Sequence, residues 1–419
     1  MSIRLGAAAW LHNRYWQQHL PDGMVSWRFL CSAGDPLIRQ HRRMAFAARG
    51  RRVPPALWRP LQWLLWGRWL LWHAWRDSWR IVRYRGAEVV AGEGIGRVRQ
   101  FLAVLNLALA HTVPPWQAYD YRLYRPERRR LLWTYVFDHE ANSYHAWNCD
   151  SRADWLAGSA LLGDKLECER QLSGLGLPVG KTLALVPRGG GADFRSLLAA
   201  GQRLFCKPRR GARGEHAFML DAGGAAGALR MRELAGTWIA PDAVATCVAA
   251  RLDVGDFLLQ PCLQNHGQIA DLTELDFAIT VRLITVRQDG KISLLAAMAS
   301  IPVESPAGEV TLRFLGVALD DGGLSALPDD AVDGDERPAQ EVLHARLGQR
   351  SLPDWPAACR IAAAAHERLC PSLRGIAWDF VFTPDGPILL EGNGGWSLSV
   401  PQLINGGFLA PPAKAPTTT

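Results

Sequence analysis

"GIAWDFVFTPDGPILLEGNGG", residues 375–395, decides the reading of this chain. Two apolar, strand-like runs meet at Pro384-Asp385-Gly386, and each run carries one carboxylate, Asp379 and Glu391. A carboxylate in an apolar strand is costly unless a cation or hydrogen-bond donors compensate it. Pro-Asp-Gly suits a three-residue hairpin loop, a type I turn followed by a residue with positive φ. Such a loop sets Thr383 opposite Pro387 and Asp379 opposite Glu391, with opposed side chains on one face. Asn393, two residues beyond Glu391, returns to that face if the strand continues. Two like charges side by side need a cation between them. Asp379, Glu391 and Asn393 converging through hard oxygens suit Mg²⁺ better than zinc. The alternative is an exposed hairpin with solvated charges. Phe380, Phe382, Leu389 and Leu390 make the opposite face apolar and favour a packed hairpin.

The rest of the chain is uneven in composition. Its 419 residues are enough for two or three domains, and 48% hydrophobic with 21% charged residues is ordinary for a globular protein. The net charge of +7 hides an asymmetry: residues 1–130 hold 22 Arg, no Lys and 7 acidic residues. That portion also carries 11 of the 18 Trp, so it is a distinct basic region with its own packing or partners. The eight Cys form no C-x-x-C pair, and the apolar stretch after Arg4 is too short and too soon interrupted for a secretory signal. Reduced thiols in the cytoplasm are expected.

Residues 55–85, "PALWRPLQWLLWGRWLLWHAWRDSWRIVRYR", predict a long helix opened by Pro55. Trp63, Trp66, Trp69, Trp72 and Trp75 step by three, which spreads them around a helix instead of along one stripe. A spanning helix needs about 20 apolar residues, and Arg59, Gln62, Arg68 and His73 interrupt this one. The expectation is a helix that does not cross a bilayer and packs in an α-helical region, with peripheral contact at the inner membrane face as the alternative. No nucleic-acid motif accompanies the arginines of residues 39–52, so no nucleic-acid partner is expected.

From about residue 150 the texture becomes α/β. Residues 159–176 read as a helix closed by Gly174 or Gly176, with strands at 181–186, 203–208 and within 256–266. Residues 277–303 read as a hairpin around Gln-Asp-Gly, 320–338 as an acidic surface loop, and 356–370 as a helix. "GLGLPVGKT" (174–182) is not a phosphate-binding P-loop. Leu175 stands where that motif needs Gly, and the helix precedes the strand instead of following it. Lys181 is therefore an ordinary surface residue. "FCKPRRGARGEHAFML" (205–220) is stronger: Lys207 ends a strand before a loop with Gly211 and Gly214, and Arg209, Arg210 and Arg213 lie nearby. Such a loop offers N–H groups and cations to phosphates. Alone it is equally a basic hairpin tip.

Asp164 and Lys165, Lys207-Pro208 with Gly211 and Gly214, Gln260, Thr280-x-Arg282, Asp379, then Glu391-x-Asn393 together resemble the ATP-grasp superfamily. "GDKLECERQLSGLGLPV", "TVRLITV" and "WDFVFTPDGPILLEGN" are most similar to its sugar-transfer-associated members, over about residues 140–410. The resemblance implies an α+β fold whose two subdomains, expected at 151–262 and 263–410, clasp ATP. The residues themselves set a basic, Trp-rich, mainly α-helical region at 1–150 before them and a disordered tail at 411–419. The resemblance further implies ATP and Mg²⁺ as cofactors, with Lys165, Lys207, Gly211 and Gly214 at phosphates. Gln260 and the backbone of Pro261, Cys262 and Leu263 would form the adenine linker. Arg282 would meet the γ-phosphate or an acyl-phosphate, and Asp379, Glu391 and Asn393 would hold the metal. The implied activity is ligation of a carboxylate to an amine or similar nucleophile, on a small or sugar-linked substrate in cell-surface polysaccharide metabolism. Phosphoryl transfer to a hydroxyl and non-catalytic ATP binding at a membrane remain the alternatives. One departure is that Ile279 stands where relatives commonly carry Asn before Thr-x-Arg.

Overall fold

The computed structural model describes residues 24–31, 34–47, 55–147, 149–190, 194, 198, 203–211, 214–222, 229–233, 238–240, 242–304, 310–327 and 337–409. The N-terminal stretch read for a signal, Arg213, the middle of the acidic loop and the tail at 411–419 lie outside the described residues. The chain divides into two compact units. One comprises Met1–Asn148, Pro328–Asp335 and Ser397–Thr419, the other Cys149–Leu327 and Glu336–Trp396.

The first unit is helical. Pro55 opens a helix that runs to Arg68, passes through a π-helical turn at Trp69–His73, and continues over Ala74–Glu93. The helix expected over 55–85 is thus continuous and reaches further, until Gly94 ends it in a left-handed conformation (φ 69°) that glycine adopts without strain. Arg97–His111 packs back on it, and Gly86 leaves room for the Gln100 side chain, whose Oε1 would lie 3.1 Å from a Cβ there. Trp58, Trp66 and Trp69 are buried, and the Trp69 indole donates to the Ala108 carbonyl at 2.9 Å. The three-residue step of the tryptophans leaves Trp63, Trp72 and Trp75 exposed. No described helix is long and apolar enough to cross a membrane.

The helix Ser399–Asn405 belongs to this unit as well. Gln402, buried, donates to the Val136 carbonyl and accepts from the Val136 N–H, both at 2.8 Å, as a paired strand residue would. By its contacts this helix groups with the helical unit, although it lies within the range 263–410 expected for the second subdomain.

The second unit carries two six-stranded sheets whose neighbouring strands are all antiparallel. The first is built from β1 (Ala184–Val186), β2 (Leu204–Pro208), β3 (Phe218–Asp221), β4 (Arg230–Glu233), β5 (Trp238–Ile239) and β6 (Phe257–Pro261), in the order β1-β6-β2-β3-β4-β5. The second uses β7 (Thr280–Gln288), β8 (Lys291–Glu304), β9 (Val310–Val317), β10 (Leu324–Ala326), β11 (Gly375–Thr383) and β12 (Gly386–Asn393), in the order β10-β9-β8-β7-β11-β12. The hairpin expected around Gln-Asp-Gly joins β7 to β8, and Asp289 and Gly290, both at positive φ, form its two-residue turn. Period-two alternation sends Val281, Leu283, Ile376, Trp378, Phe380, Phe382 and Leu389 into one core. The small residues Ala358, Ala362 and Ala365 of the helix Trp355–Leu369 pack against them. Each large side chain so buried contributes about 1.5–3 kcal/mol.

Two local expectations need correction. The stretch 159–176 is two helices, Arg152–Gly163 and Lys165–Gly174, because Asp164 ends the first and caps the second by accepting the Glu167 N–H. The β11–β12 hairpin turns on two residues, with Thr383 opposite Gly386 instead of Pro387. Thr383 tightens the turn: its hydroxyl donates to the Gly386 carbonyl (2.8 Å) and accepts the Asp385 N–H (3.3 Å). A β-bulge at Leu390 then absorbs one residue and restores Asp379 opposite Glu391.

Candidate active site

The paired carboxylates lie where the two sheets and one helix N-terminus supply cations. Asp379 pairs with Glu391 across β11–β12 and with Arg282 across β11–β7, so the three side chains leave the sheet on one face. Arg282 grips Asp379 with both arms, Nε to Oδ1 at 2.7 Å and a terminal nitrogen to Oδ2 at 2.8 Å. The cation the sequence demanded beside Asp379 is thus a guanidinium. Burial pushes the Asp379 carboxyl above its ordinary value, against the pull of Arg282. Burial works against the Arg282 charge too, but the carboxylate outweighs it and holds the guanidinium up. Asn393 turns back to the same face, and its amide nitrogen donates to Asp379 Oδ2 at 3.2 Å.

Glu391 looks toward the lysines. Lys165, first residue of its helix, sits with Nζ 3.7 Å from Glu391 Oε2 and donates to the Gly211 carbonyl at 2.6 Å. Lys207, on β2, is buried, and no carboxylate of the described residues closes on it to ion-pair distance. Burial lowers its ammonium pKa, while Glu391, Glu169 and Asp379 oppose that shift. A buried ammonium without a close partner is unfavourable by itself and is ready for an anion. Gly211 and Gly214 both hold positive φ, 135° and 68°, so the loop after Lys207 turns as only glycine does easily.

Two of the loop's arginines, Arg209 and Arg210, are already engaged. Arg209 makes a two-armed pair with Asp164 (2.8 and 2.8 Å) and Arg210 adds a third contact at 2.9 Å. Those hydrogen bonds bring the Asp164 pKa down to about 2. The Lys165 N–H also donates to the Arg209 carbonyl. Asp164 therefore fixes the loop to the helix that carries Lys165.

Gln260 is tied into a polar network beside the linker expected at 260–263. Its amide donates to Glu169 Oε2 (3.1 Å), the Gly180 carbonyl (3.1 Å) and Thr182 Oγ1 (3.2 Å). Pro261 pairs with Leu204, and the Cys262 N–H donates to the Arg203 carbonyl, leaving the half-buried Leu263 as the linker residue with an unpaired backbone N–H among the described residues. Burial pushes the Cys262 thiol up to about 12, which makes it a poor nucleophile. Ile279 lies in the core at 1% exposure, so the position that departs from Asn-Thr-x-Arg points away from Arg282. Lys181 is exposed.

Sequence reasoning missed Glu169 and Gly392. Glu169 anchors Thr182 and Gln260, and only its place two helical positions beyond Glu167 in an ordinary surface pattern was visible. Gly392 separates Glu391 from Asn393 because a Cβ there would lie 2.5 Å from Trp378.

Three oxygen-bearing side chains on one face fit a hard divalent cation, with the carboxylates opposed and Asn393 beside them. The described residues hold no cluster of three His, Cys, Asp or Glu. Residues 157–416 match the family model for sugar-transfer associated ATP-grasp, and the chain belongs to that family. The α+β architecture is the one the resemblance implied, and the N-terminal unit is helical as its own residues predicted. No curated protein matches the chain. Among solved structures it is similar to the D-cycloserine synthetase DcsG, at 16% identity and TM-score 0.35 over 71% of this chain and 79% of that one. It is similar to the ATP-grasp ligase PsnB in complex with a phosphomimetic precursor variant, Mg and ADP (15%, TM-score 0.33, 68% of this chain and 66% of that one). D-alanyl-alanine synthetase A from Vibrio cholerae O1 biovar eltor matches at 11% and TM-score 0.34, over 60% and 66%. The chain thus spans just under two thirds of the length of the last two.

Proposed function

We propose that this protein is an ATP- and Mg²⁺-dependent ligase that activates a carboxylate as an acyl-phosphate and joins it to an amine. The observation that carries the reading is Asp379 opposed to Glu391, facing Lys165 and the buried Lys207, which no carboxylate of the described residues approaches to ion-pair distance. Lys165, Lys207 and the Gly211–Gly214 loop would take the phosphates, and Gln260 with Pro261, Cys262 and Leu263 would border the adenine. Asp379, Glu391 and Asn393 would hold Mg²⁺, which supplies charge neutralisation to the transferring phosphoryl group. The carboxylate oxygen attacks the γ-phosphorus and ADP leaves. The amine then attacks the acyl carbon, phosphate leaves, and an amide forms with loss of one proton. Arg282 stabilises negative charge on the carboxylate or the acyl-phosphate once it leaves Asp379. No side-chain nucleophile is required, which agrees with the raised thiol of Cys262. The family's description as sugar-transfer associated supports a sugar-linked substrate, and a place in cell-surface polysaccharide metabolism is part of this proposal.

The test uses ATP, Mg²⁺ and pooled cell-wall precursors whose carboxylates carry ¹⁸O. A ligase releases ADP and moves label into inorganic phosphate. ADP release with the label retained and phosphate esterified to a hydroxyl would show a kinase instead, and pyrophosphate release would contradict both.

A further inference from the structure

The long helix of the N-terminal unit leaves an apolar stripe in solvent. Leu57, Leu64, Leu71, Trp75 and Trp79 step by seven, seven, four and four, the repeat of one helix face. They are 60, 70, 83, 49 and 60% exposed. Isolated exposed apolar residues are normal, but a row of them along one helix face, here with the half-buried Arg68 between Leu64 and Leu71, marks an interaction surface. The flanks are cationic. Arg59, Arg80 and Arg83 are exposed on the same helix, and Asp77, the sole acidic residue over 55–87, is buried with Arg76 Nε at 2.9 Å. Beside Arg80 and Arg83 an open hollow of about 670 Å³ is walled by Tyr84 and Trp116.

We propose that this face docks on an anionic phospholipid surface. The helix lies in the interface plane, its leucines and tryptophans enter the boundary of the acyl chains, and Arg80 and Arg83 meet lipid phosphates at the hollow. Trp and Tyr favour the headgroup zone, and each arginine near an anionic surface adds attraction. Charge selects this occupant. A second copy of the stripe would bring arginine against arginine, with no exposed acid over 55–87 to answer it. A zwitterionic surface would leave the arginines without net attraction.

The experiment is cosedimentation of the full chain with vesicles of phosphatidylcholine alone, or with phosphatidylglycerol at roughly three parts in ten. The chain should pellet with the anionic vesicles, less so in high salt, and poorly with phosphatidylcholine. The double variant Leu64→Glu/Leu71→Glu should lose at least about tenfold in partition, since two exposed apolar anchors become charged. Arg80→Gln/Arg83→Gln should lose roughly fivefold per arginine toward the anionic vesicles only. All of these positions are exposed, and unchanged circular dichroism verifies that the variants fold. No binding to anionic vesicles, or equal binding by wild type and both variants, overturns the proposal. So does a dimer in sedimentation that Leu64→Glu/Leu71→Glu converts to monomer, which would show that a second copy covers the stripe.

Discussion

Asp164 shows how much a single residue organises here. It ends one helix, caps the next, and holds Arg209 and Arg210 of the loop after Lys207. Its carboxyl titrates at about 2 in the fold against about 3.9 in an unfolded chain. A lowered folded value means stabilisation that is complete above about pH 4 and is lost as pH falls toward 2. Asp164→Ala should therefore cost about 1 kcal/mol at neutral pH, and urea melts should show the gap to wild type narrowing at pH 3. A gap independent of pH would mean that the ion pairs contribute nothing. Gly392→Ala should cost about 1–3 kcal/mol, because its Cβ would press on the buried Trp378 ring. Thermal melts check it, and an unchanged midpoint would show that the ring yields freely. The sequence named Asp379, Glu391 and Asn393 through turn chemistry and polarity. It could not reveal that Arg282 grips Asp379, because that contact joins strands 97 positions apart.

The elements were legible where one local rule decides them. The β7–β8 turn follows from Asp289-Gly290, and the helix Trp355–Leu369 from its run of small and apolar residues. The β11–β12 hairpin was half legible. Its carboxylates oppose each other as the turn predicted, yet through a shorter turn and a bulge at Leu390 whose errors cancel. The placement of the C-terminal helix was not legible, because Gln402 answers Val136 far away in sequence. Gln402→Leu would strand a buried N–H and a buried carbonyl, at about 1–3 kcal/mol for each group. Chemical denaturation should show that loss in the helical unit, and an unaltered transition would mean that Ser399–Asn405 is not held by this pairing.

At the scale of the whole molecule, the second unit gathers residues from both sheets and from the Lys165 helix around one cluster of charges. The match at 157–416 supports the ATP-binding reading for that cluster. The basic, Trp-rich part was legible as a helical region. Its exposed stripe was not, since only packing tells which tryptophans stay outside. The central claim is that nucleotide phosphates meet Lys207 while the P-loop-like string ending at Lys181 has no part in binding. Calorimetric titration of Mg²⁺·ATP into wild type, Lys207→Ala and Lys181→Ala tests it most directly. Losing a charge-assisted contact of about 1.5–3 kcal/mol predicts roughly tenfold to a hundredfold weaker binding for Lys207→Ala. Lys181→Ala should bind as wild type does. Equal losses in the two variants, or full affinity in Lys207→Ala, would contradict the account and move the phosphates elsewhere.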